Sequence, residues 1–271
     1  MGVLGSCSNP VSVPPGTNVI RSHLKFEMVS VKKTTMKHKD VKMTRENLVY
    51  GLLRSVKTLS RCFYRFDISW IDGDSPDRSW DSVRLVAFLN HTSLFEPLFV
   101  GWFPNEFLKR IATKGLMPVA DKALQRPVMG NFFNLVAGNV VPISRMKDQT
   151  WLNLLHHVHS DSMVIIMPEG RMMRRGGLDK NGKPMTVRGG IADLIQKIPR
   201  GRILMAYSGG LHHVQVPGQW IPRLFKTVQM RLESIDIQQY RDSLLSRCDY
   251  KGFKAAVIKD LESRRDRFCP F

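Results

Sequence analysis

Short apolar runs recur along the chain from about residue 80 onward, and longer segments of mixed polarity separate them. Such runs are typical of buried strands, whereas the separating segments are long enough for helices. The alternation predicts an α/β domain with a mostly parallel central sheet flanked by helices on both faces. The predicted strands are 82–89, 110–115, 139–145, 162–170, 201–210 and 227–235. The predicted helices between them are 94–108, 121–136, 148–160 and 187–198.

An amphipathic helix is predicted over residues 44–66, ahead of this alternation. Thr44 can cap the helix, and Glu46 lies in its first turn. At about 100° per residue the apolar side chains share one side of the helix and a basic row lies opposite. The apolar side contains Leu48, Leu52, Val56, Leu59, Phe63 and Phe66, and the basic row contains Arg54, Lys57, Arg61 and Arg65. Such a helix can lie on an anionic membrane or pack on its own domain, and a basic row opposite the apolar side favours packing with a solvated basic face.

Three regions follow from these patterns. Residues 1–43 contain a Pro- and Gly-rich stretch and a basic run, and they are predicted to form a flexible basic N-terminal segment. Residues 44–240 are predicted to form the α/β domain together with its N-terminal helix. Residues 241–271 are predicted to be a C-terminal helical extension packed on that domain. Its apolar side contains Phe253, Val257, Leu261 and Phe268.

The charge of the chain limits the kinds of partner that fit it. There are 41 Lys and Arg against 23 Asp and Glu, a formal net charge of +18. Such an excess implies an anionic partner, which can be nucleic acid, an anionic phospholipid surface or a phosphorylated small molecule. The basic residues are not interleaved with aromatic residues, and no zinc-ligand spacing or RNA-recognition motif occurs. We therefore expect no nucleic-acid partner and favour an anionic membrane surface.

The cysteines and the hydropathy pattern indicate where the protein works. Its four cysteines are far apart and form no Cys-x-x-Cys pair. They are predicted to be free thiols in a reducing compartment, and no metal site is expected. No run of about eighteen apolar residues indicates a spanning helix, and a secretory signal is not expected at the N-terminus. Together with the charge, these features predict a cytoplasmic protein that associates peripherally with a membrane.

The segment Asn-His-Thr-Ser-Leu-Phe-Glu, residues 90–96, directly follows the predicted strand 82–89. Ligands bind at the carboxyl ends of the strands in α/β sheets, so this segment lies where a site is expected. Its ionisable residues are His91 and Glu96. Their proximity in the sequence can mark a catalytic pair or be a coincidence.

The proline that follows this segment favours a loop. The residue before a proline avoids helical geometry, and Pro97 directly follows Glu96. Ser93-x-x-Glu96 also fits a helix capping box, but Pro97 would then remove a backbone N–H that the helix needs. Residues 91–96 are therefore predicted to form a loop in which His91 and Glu96 can approach each other. A carboxylate beside one imidazole nitrogen orients the ring and leaves the other nitrogen to accept a proton from a hydroxyl group.

Three segments, in order along the chain, resemble the sequence blocks of one family. His-x4-Glu at 91–96 resembles the His-x4-Asp signature of the glycerolipid acyltransferases, the 1-acylglycerol-3-phosphate (lysophospholipid) acyltransferase family. Residues 119–145 resemble that family's second block, which contains Lys-x-Leu, Pro-x-x-Gly and a terminal Arg. Residues 167–177, which begin Met-Pro-Glu-Gly-Arg, resemble its third block, Phe-Pro-Glu-Gly-Thr-Arg. The resemblance covers roughly residues 45–240.

The resemblance implies a fold and a reaction. The implied glycerol-3-phosphate acyltransferase-like fold is an α/β domain preceded by a helical element, in agreement with the pattern of apolar runs. The implied reaction transfers a fatty acyl group from acyl-CoA or acyl carrier protein to the hydroxyl of a lysophospholipid, foremost 1-acylglycerol-3-phosphate to give phosphatidic acid. The thioester is a co-substrate, so no cofactor is expected. The same chemistry on another lyso-lipid, such as an amino-lipid, and a non-catalytic anionic-lipid-binding relative are the alternatives.

The resemblance also implies roles for individual residues. His91 would be the general base, and Glu96 the carboxylate that orients it. Arg145 would lie near the acceptor phosphate, and Glu169 and Gly170 would contribute to acceptor binding. The predicted substrate-binding set is completed by Arg171, whose guanidinium can bind phosphate with two hydrogen bonds, and by Asn90 and Ser93. The last two are expected mainly to organise the loop, with Ser93 as nucleophile a lesser alternative.

The sequence departs from the family pattern in three places. Glu96 replaces the usual Asp and is one methylene longer. Arg171 stands at the position of the family's Thr and Met172 at that of its Arg, so either Arg171 or the pair Arg174 and Arg175 can supply the phosphate contact. The fourth block lacks its proline in the run Ile-Leu-Met-Ala-Tyr-Ser-Gly-Gly. These departures weaken the prediction of the acceptor but not of the reaction class.

Overall fold

The computed structural model describes residues 45–71, 73, 79–125, 140–144, 148–216, 219, 221–247 and 252–270. One compact unit extends from Glu46 to Phe271. The predicted flexible segment 1–43 lies outside the described residues. The predicted domain boundaries at 240 and 241 stay predictions.

A seven-stranded sheet forms the centre of this unit. Its strands are β1 (Arg65–Trp70), β2 (Val83–Leu89), β3 (Gly115–Ala120), β4 (Val140–Ile143), β5 (Met163–Ile166), β6 (Arg202–Ser208) and β7 (Thr227–Asp236). Along the sheet the order is β1-β7-β6-β2-β5-β3-β4. Every neighbouring pair is parallel except β6 and β7, which are antiparallel. The predicted α/β class with a mostly parallel sheet is therefore confirmed.

Helices cover both faces of the sheet. They are α1 (45–63), α2 (Asn105–Lys114), α3 (Asp121–Leu124), α4 (Gln149–His157), α5 (Gly190–Lys197), α6 (Ile237–Leu245) and α7 (Phe253–Phe268), with 3-10 turns at Trp80–Ser82 and Glu96–Gly101. Successive strand residues point to opposite faces, so Met205 and Ala206 of β6 belong to different hydrophobic clusters. Side chains of α4 to α7 join the cluster of Met205, whereas α1, α2 and the second 3-10 turn join that of Ala206.

Burial on both faces explains why the apolar runs of β5 and β6 are uninterrupted by polar residues. All four residues of β5 are buried, as are six of the seven residues of β6. Strands of this kind have no solvent-facing side and therefore lack the polar alternation of exposed sheets. The runs predicted at 82–89, 139–145, 162–170, 201–210 and 227–235 are confirmed as β2, β4, β5, β6 and β7, with shorter bounds for most of them.

The predicted strand 110–115 is wrong, because its first five residues are the end of α2 and the strand β3 begins only at Gly115. Phe107, Leu108 and Ala112 are buried at helical spacing, and this period continues through the apolar run. The predicted helix 94–108 is instead a 3-10 turn followed by α2. Within the predicted helix 121–136, the structure describes residues 121–125, of which 121–124 form α3.

Besides β3, the strand β1 and the helix α6 were not predicted from the sequence. The strand β1 begins at Arg65, inside the predicted helix 44–66, which in the described structure ends at residue 63. The helix α6 follows β7 directly, and the Asp236 carboxylate caps it by accepting a hydrogen bond from the backbone N–H of Gln239 at 3.0 Å. By contrast, the C-terminal helix is present as α7, with Phe253, Val257 and Leu261 buried.

Helix α1 packs on its own domain, but not through the face that its periodicity predicts. Val49 and Leu53 are its buried apolar side chains, whereas Leu59 is 57% exposed. The basic row is not solvated throughout. Lys57 Nζ donates to the carbonyl of Phe103 at 2.7 Å, and Arg61 Nε donates to that of Gly101 at 2.8 Å. These carbonyls lie far away in the sequence, so the helical period alone could not identify the docking face.

No helix within the described ranges is both long enough and apolar enough to cross a membrane.

Candidate active site

The loop after β2 lies between two other loops because of the strand order. β2 is hydrogen-bonded to β5 on one side and to β6 on the other, and all three strands run parallel. Their carboxyl ends therefore meet at one edge of the sheet, where the segments 90–96, 167–173 and 208–215 come together. This edge contains the predicted site. Residues 90–96, which include the predicted catalytic pair His91 and Glu96, are called the catalytic loop below.

The peptide of His91 is held on both sides by the segment after β5. Its N–H donates to Glu169 Oε2 at 2.9 Å, and its carbonyl accepts from the N–H of Met173 at 2.6 Å. The N–H of Asn90 donates to the other Glu169 oxygen at 3.0 Å. The position of the histidine is thus fixed by contacts between distant parts of the chain, and the one between His91 and Glu169 spans 78 residues of sequence.

Asn90 makes the turn from β2 into this loop. Its φ is 65°, in the left-handed region that asparagine tolerates better than most residues. Its side-chain amide donates to the carbonyl of Ser208 at 2.8 Å, which ties the turn to the end of β6. In the structure Asn90 therefore organises the loop, and a contact with substrate stays a prediction.

His91 and Glu96 approach each other as the loop prediction requires. Nδ1 of His91 lies 3.2 Å from Oε1 of Glu96, with side-chain exposures of 14% and 3%. The same Oε1 accepts from the N–H groups of Thr92 at 3.0 Å and Ser93 at 2.9 Å. Glu96 begins the 3-10 turn that contains Pro97, so residues 91–95 form a loop. Glu96 also reaches back to Ser93, as a capping-box glutamate would, and therefore holds the backbone of the loop while lying beside the His91 ring.

The electrostatic surroundings of His91 favour its protonated form. Burial is the largest single influence and lowers the pKa of the imidazole, but the carboxylates of Glu96 and Glu169 together outweigh it, so the pKa is raised above 6.5. Because Nδ1 faces Glu96, Nε2 is the nitrogen available to a hydroxyl proton. A base with this environment can take up a proton and remain charged inside a buried site.

Glu169 lies behind His91, out of contact with solvent. Its side chain is 0% exposed, and burial raises the pKa of its carboxyl, against the opposing effect of the hydrogen bonds from His91 and Asn90. Its predicted part in acceptor binding stays a prediction, because its observed contacts are to the backbone of the catalytic loop. Gly170 has a φ of 63°. A Cβ there would meet only Arg188 Cγ at 3.7 Å, so backbone conformation and not crowding explains the glycine.

The predicted phosphate-binding arginines lie in different environments. Arg171 forms an ion pair with the buried carboxylate of Asp179, which also accepts from the N–H groups of Asn181 and Lys183. Its guanidinium therefore helps to shape the loop after the turn at Glu169 and Gly170, which is called the Glu-Gly turn below. Arg174 and Arg175 are exposed. Arg145 lies outside the described residues, and phosphate binding by any of these arginines stays a prediction.

Ser93 is a buried part of the loop scaffold. Its Oγ donates to Gln215 Oε1 at 2.7 Å and accepts from the N–H of Phe95 at 3.1 Å. Beside it, Thr92 Oγ1 accepts from the N–H of Leu211 at 2.6 Å. These bonds join the catalytic loop to the segment after β6. The Ser93 hydroxyl donates to a neutral amide oxygen and not to a base, and its roles as nucleophile and in substrate binding stay predictions.

Sequence reasoning missed the residues that act on the loop from a distance. Gln215 carries no local signal, and Met173 contributes only its backbone. Arg265 of α7 lies 3.6 Å from Glu169 Oε1 and belongs to a segment whose apolar pattern indicated only packing. Each of these three residues is identified by a contact between distant parts of the chain and not by a sequence motif.

Comparisons with known proteins identify the family of the chain. The family model described as Acyltransferase matches residues 74–209. Among solved structures, the 1-acyl-sn-glycerophosphate (LPA) acyltransferase PlsC from Thermotoga maritima is similar, with a TM-score of 0.49 and 14% identity over 84% of this chain and 88% of that one. No curated protein matches the chain. The family model covers the catalytic loop, the Glu-Gly turn and half of the sequence, and the chain belongs to the Acyltransferase family.

Proposed function

We propose that the protein transfers a fatty acyl group from an acyl thioester to the hydroxyl of a lysophospholipid, with 1-acylglycerol-3-phosphate as the foremost acceptor. The observation that carries this proposal is the contact of His91 Nδ1 with Glu96 Oε1 at 3.2 Å in a loop braced by two neighbouring strands. The membership of the Acyltransferase family supports the reaction class. The three sequence blocks that resemble the glycerolipid acyltransferases support the acceptor.

The proposed reaction needs one base and no covalent intermediate. Nε2 of His91 takes the proton of the acceptor hydroxyl while the oxygen of that hydroxyl attacks the thioester carbonyl carbon. The new C–O bond forms, the C–S bond breaks, and the sulfur leaves as a thiol after the imidazolium returns the proton to it. Glu96 stabilises the imidazolium between these two steps. The donor is acyl-CoA or acyl carrier protein.

The positive charge beside the loop favours an anionic acceptor. Between residues 171 and 202 there are nine Lys and Arg and two Asp. Arg174, Arg175 and Arg188 are exposed there, and the backbone of Met173 in the same segment bonds to His91. These guanidinium groups could bind the phosphate of a lysophospholipid whose hydroxyl lies at His91.

An acceptor screen tests this proposal. Purified protein is incubated with one labelled acyl-CoA and a panel of lysolipids, and products and free CoA are resolved by mass. We expect acyl transfer to phosphate-bearing lysolipids, and Arg174→Ala/Arg175→Ala should raise KM for them several-fold. Arg200→Ala is the matched control, since Arg200 is also exposed but lies beyond α5. Binding of lysolipid without any release of CoA would contradict the proposal and favour the non-catalytic alternative, and products from neutral or amino-lipid acceptors alone would favour that other acceptor class.

We also propose that an apolar patch, formed by Leu59, Phe63, Ile221, Leu224 and Phe225, rests on an anionic membrane. Ile221 is 82% and Phe225 68% exposed, and the rings of Phe63 and Phe225 lie 6.1 Å apart, so α1 and the segment before β7 form one surface. The exposed cations that border it are Arg65, Arg223 and Lys226. An apolar surface with a basic border fits an anionic bilayer.

Vesicle cosedimentation tests the patch. Wild type should bind vesicles that contain anionic phospholipid and bind neutral vesicles less, and Ile221→Ser/Phe225→Ser should weaken that binding. Leu152→Ser is the control, because Leu152 is 47% exposed on α4, outside the patch. Equal binding by both variants, or tighter binding to DNA than to vesicles at the same ionic strength, would contradict the proposal.

A further inference from the structure

Glu169 uses both carboxylate oxygens to hold the catalytic loop. Oε1 accepts from the N–H of Asn90 at 3.0 Å and Oε2 from that of His91 at 2.9 Å. An ionised carboxylate accepts at both oxygens, whereas a protonated one carries an O–H at one of them and loses part of its capacity to accept. The position of His91 therefore depends on the ionisation of Glu169.

A carboxylate without solvent contact stays ionised only if hydrogen bonds and nearby positive charge offset the effect of burial, and for Glu169 the N–H groups of His91 and Asn90 act together with Arg265. Burial favours the neutral acid and raises the pKa of Glu169. The guanidinium of Arg265 is its counter-charge, with Nη1 3.6 Å from Oε1 and a side-chain exposure of 12%. Removing one partner of a buried pair leaves the other charge uncompensated, and the remaining group then tends to neutralise.

Helix α7 holds Arg265 in place by several contacts. Nη1 also donates to the carbonyl of Met185 at 3.1 Å, and Nε donates to Asp266 at 2.9 Å. One turn earlier, Glu262 accepts from the N–H of Val187 at 2.9 Å. The helix is thereby fixed to residues 185–187, and its Arg265 faces Glu169.

The other charged and titratable groups around this pair do not replace Arg265. The Cys269 thiol stays neutral, because burial and then Glu169 raise its pKa to about 12. Asp266 and Glu262 are anions that act on Arg265. His91 can carry a positive charge, but that charge is shared with Glu96 and changes during the reaction. Among the described residues whose charge acts on the Glu169 carboxyl, Arg265 is the permanent cation.

We infer that Arg265 is a positioning residue of the active site, which keeps Glu169 ionised so that Glu169 can hold the peptide of His91. The inference rests on the proposed function, because it assigns the C-terminal helix a part in that same reaction. The residue touches no reacting atom. It lies outside residues 74–209, the range that the family model matches.

The test compares Arg265→Gln with Arg265→Lys and wild type. Gln keeps a donor for the Met185 carbonyl but loses the charge, whereas Lys keeps the charge. For Arg265→Gln we expect kcat at neutral pH to fall by up to about 10-fold, because Arg265 acts only through Glu169 and its loss cannot exceed that of the carboxylate, with KM nearly unchanged. The loss should shrink as the pH rises, since alkali restores the Glu169 carboxylate. Arg265→Lys should lie between Arg265→Gln and wild type.

Arg264→Met is the matched control. Arg264 is the neighbouring arginine and pairs with Glu233 and Asp260 at 2.7 Å each, away from Glu169. We expect this variant to be less stable but to keep the wild-type pH profile. A loss in Arg265→Gln that is the same at every pH, or that Arg264→Met reproduces, would overturn the inference.

A second readout separates this inference from the proposed reaction. The backbone amide resonances of Asn90 and His91 report the protonation of Glu169 in labelled protein whether or not acyl transfer occurs. In Arg265→Gln their common titration midpoint should lie at higher pH than in wild type. An unchanged midpoint would overturn the inference even if the enzyme is active, and a raised midpoint in a protein without acyl transfer would contradict the proposed function alone.

Discussion

The loop after β2 and the turn after β5 each bring a buried glutamate to His91, but the two carboxylates contact different parts of that residue. Glu96 lies 3.2 Å from the ring nitrogen, whereas Glu169 accepts from the backbone N–H. Glu96 lies five residues after His91 in the sequence, whereas Glu169 follows β5, the strand next to β2. Glu96 therefore acts mainly on the charge of the base, to which Glu169 contributes less, whereas Glu169 fixes its position. Substitutions should separate the two roles.

The largest of the effects that separate the two glutamates is expected from Glu96→Gln. Loss of its negative charge leaves burial as the main influence on His91, so the pKa of the imidazole should fall. The acid limb of kcat/KM should move to lower pH, and the plateau should drop about 100-fold because the imidazolium loses its partner. Rates measured across pH check this, with the exposed Glu106→Gln as control. An acid limb that stays in place would contradict the role of Glu96.

Glu169→Gln should give a smaller effect of a different kind. Its amide oxygen can accept from one of the two backbone N–H groups, but its NH2 group opposes the other. We expect kcat to fall about 10-fold with no recovery in alkali, which contrasts with Arg265→Gln. Steady-state kinetics of the variant check this. A shifted pH profile with an unchanged plateau would mean that Glu169 acts on the charge of His91 and not on its position.

Ser93→Ala should affect stability more than chemistry. Removing Oγ leaves Gln215 Oε1 without its buried donor, which costs about 1–3 kcal/mol in the free energy of unfolding. The rate of acyl transfer by the folded enzyme should stay within a few-fold of wild type. Chemical denaturation and kinetics together test this. A loss of activity as large as that of His91→Ala would instead favour Ser93 as the nucleophile.

Replacing either of two glycines by alanine should give the smallest effects, which are changes of opposite sign in the free energy of unfolding. Gly170 has a φ of 63°, so Gly170→Ala should lower the free energy of unfolding by about 1–2 kcal/mol. Gly51 lies in α1, and no atom lies within 4 Å of the position that an alanine methyl group would take there, so Gly51→Ala should raise it by up to about 1 kcal/mol. Thermal or chemical unfolding of both variants checks the two signs, and a stabilising Gly170→Ala would contradict the turn geometry.

The same division between near and distant contacts explains how much the sequence could predict. The alternation of apolar runs depends on local burial, so the α/β class and five strands were predictable. His91 and Glu96 are neighbours in sequence, so their approach was predictable once Pro97 indicated a loop. The face of α1 that packs is decided by the carbonyls of Gly101 and Phe103. The strand predicted at 110–115 failed because a short apolar run fits a helix as well as a strand.

Contacts that join distant parts of the chain account for the rest of the site. The resemblance to known sequence blocks identified Glu169 but not its hydrogen bonds to the loop. It also identified Arg171, whose ion pair with Asp179 depends on how residues 171–183 fold back. Arg265 belongs to no block and became visible only when α7 was placed against the turn after β5.

The pH dependence of CoA release by wild type and by His91→Ala tests the central claim most directly. The raised pKa means that the base is neutral only above a midpoint higher than 6.5, so wild-type kcat/KM should rise through that midpoint. Because the pKa of His91 is raised in the folded protein, protonated His91 should stabilise the fold. This stabilisation should be complete below pH 6.5 and lost as the pH rises through the folded-state pKa. His91→Ala should be at least about 100-fold slower at every pH, while the exposed His156→Ala should match wild type. Acyl transfer by His91→Ala at a rate near that of wild type would contradict the account.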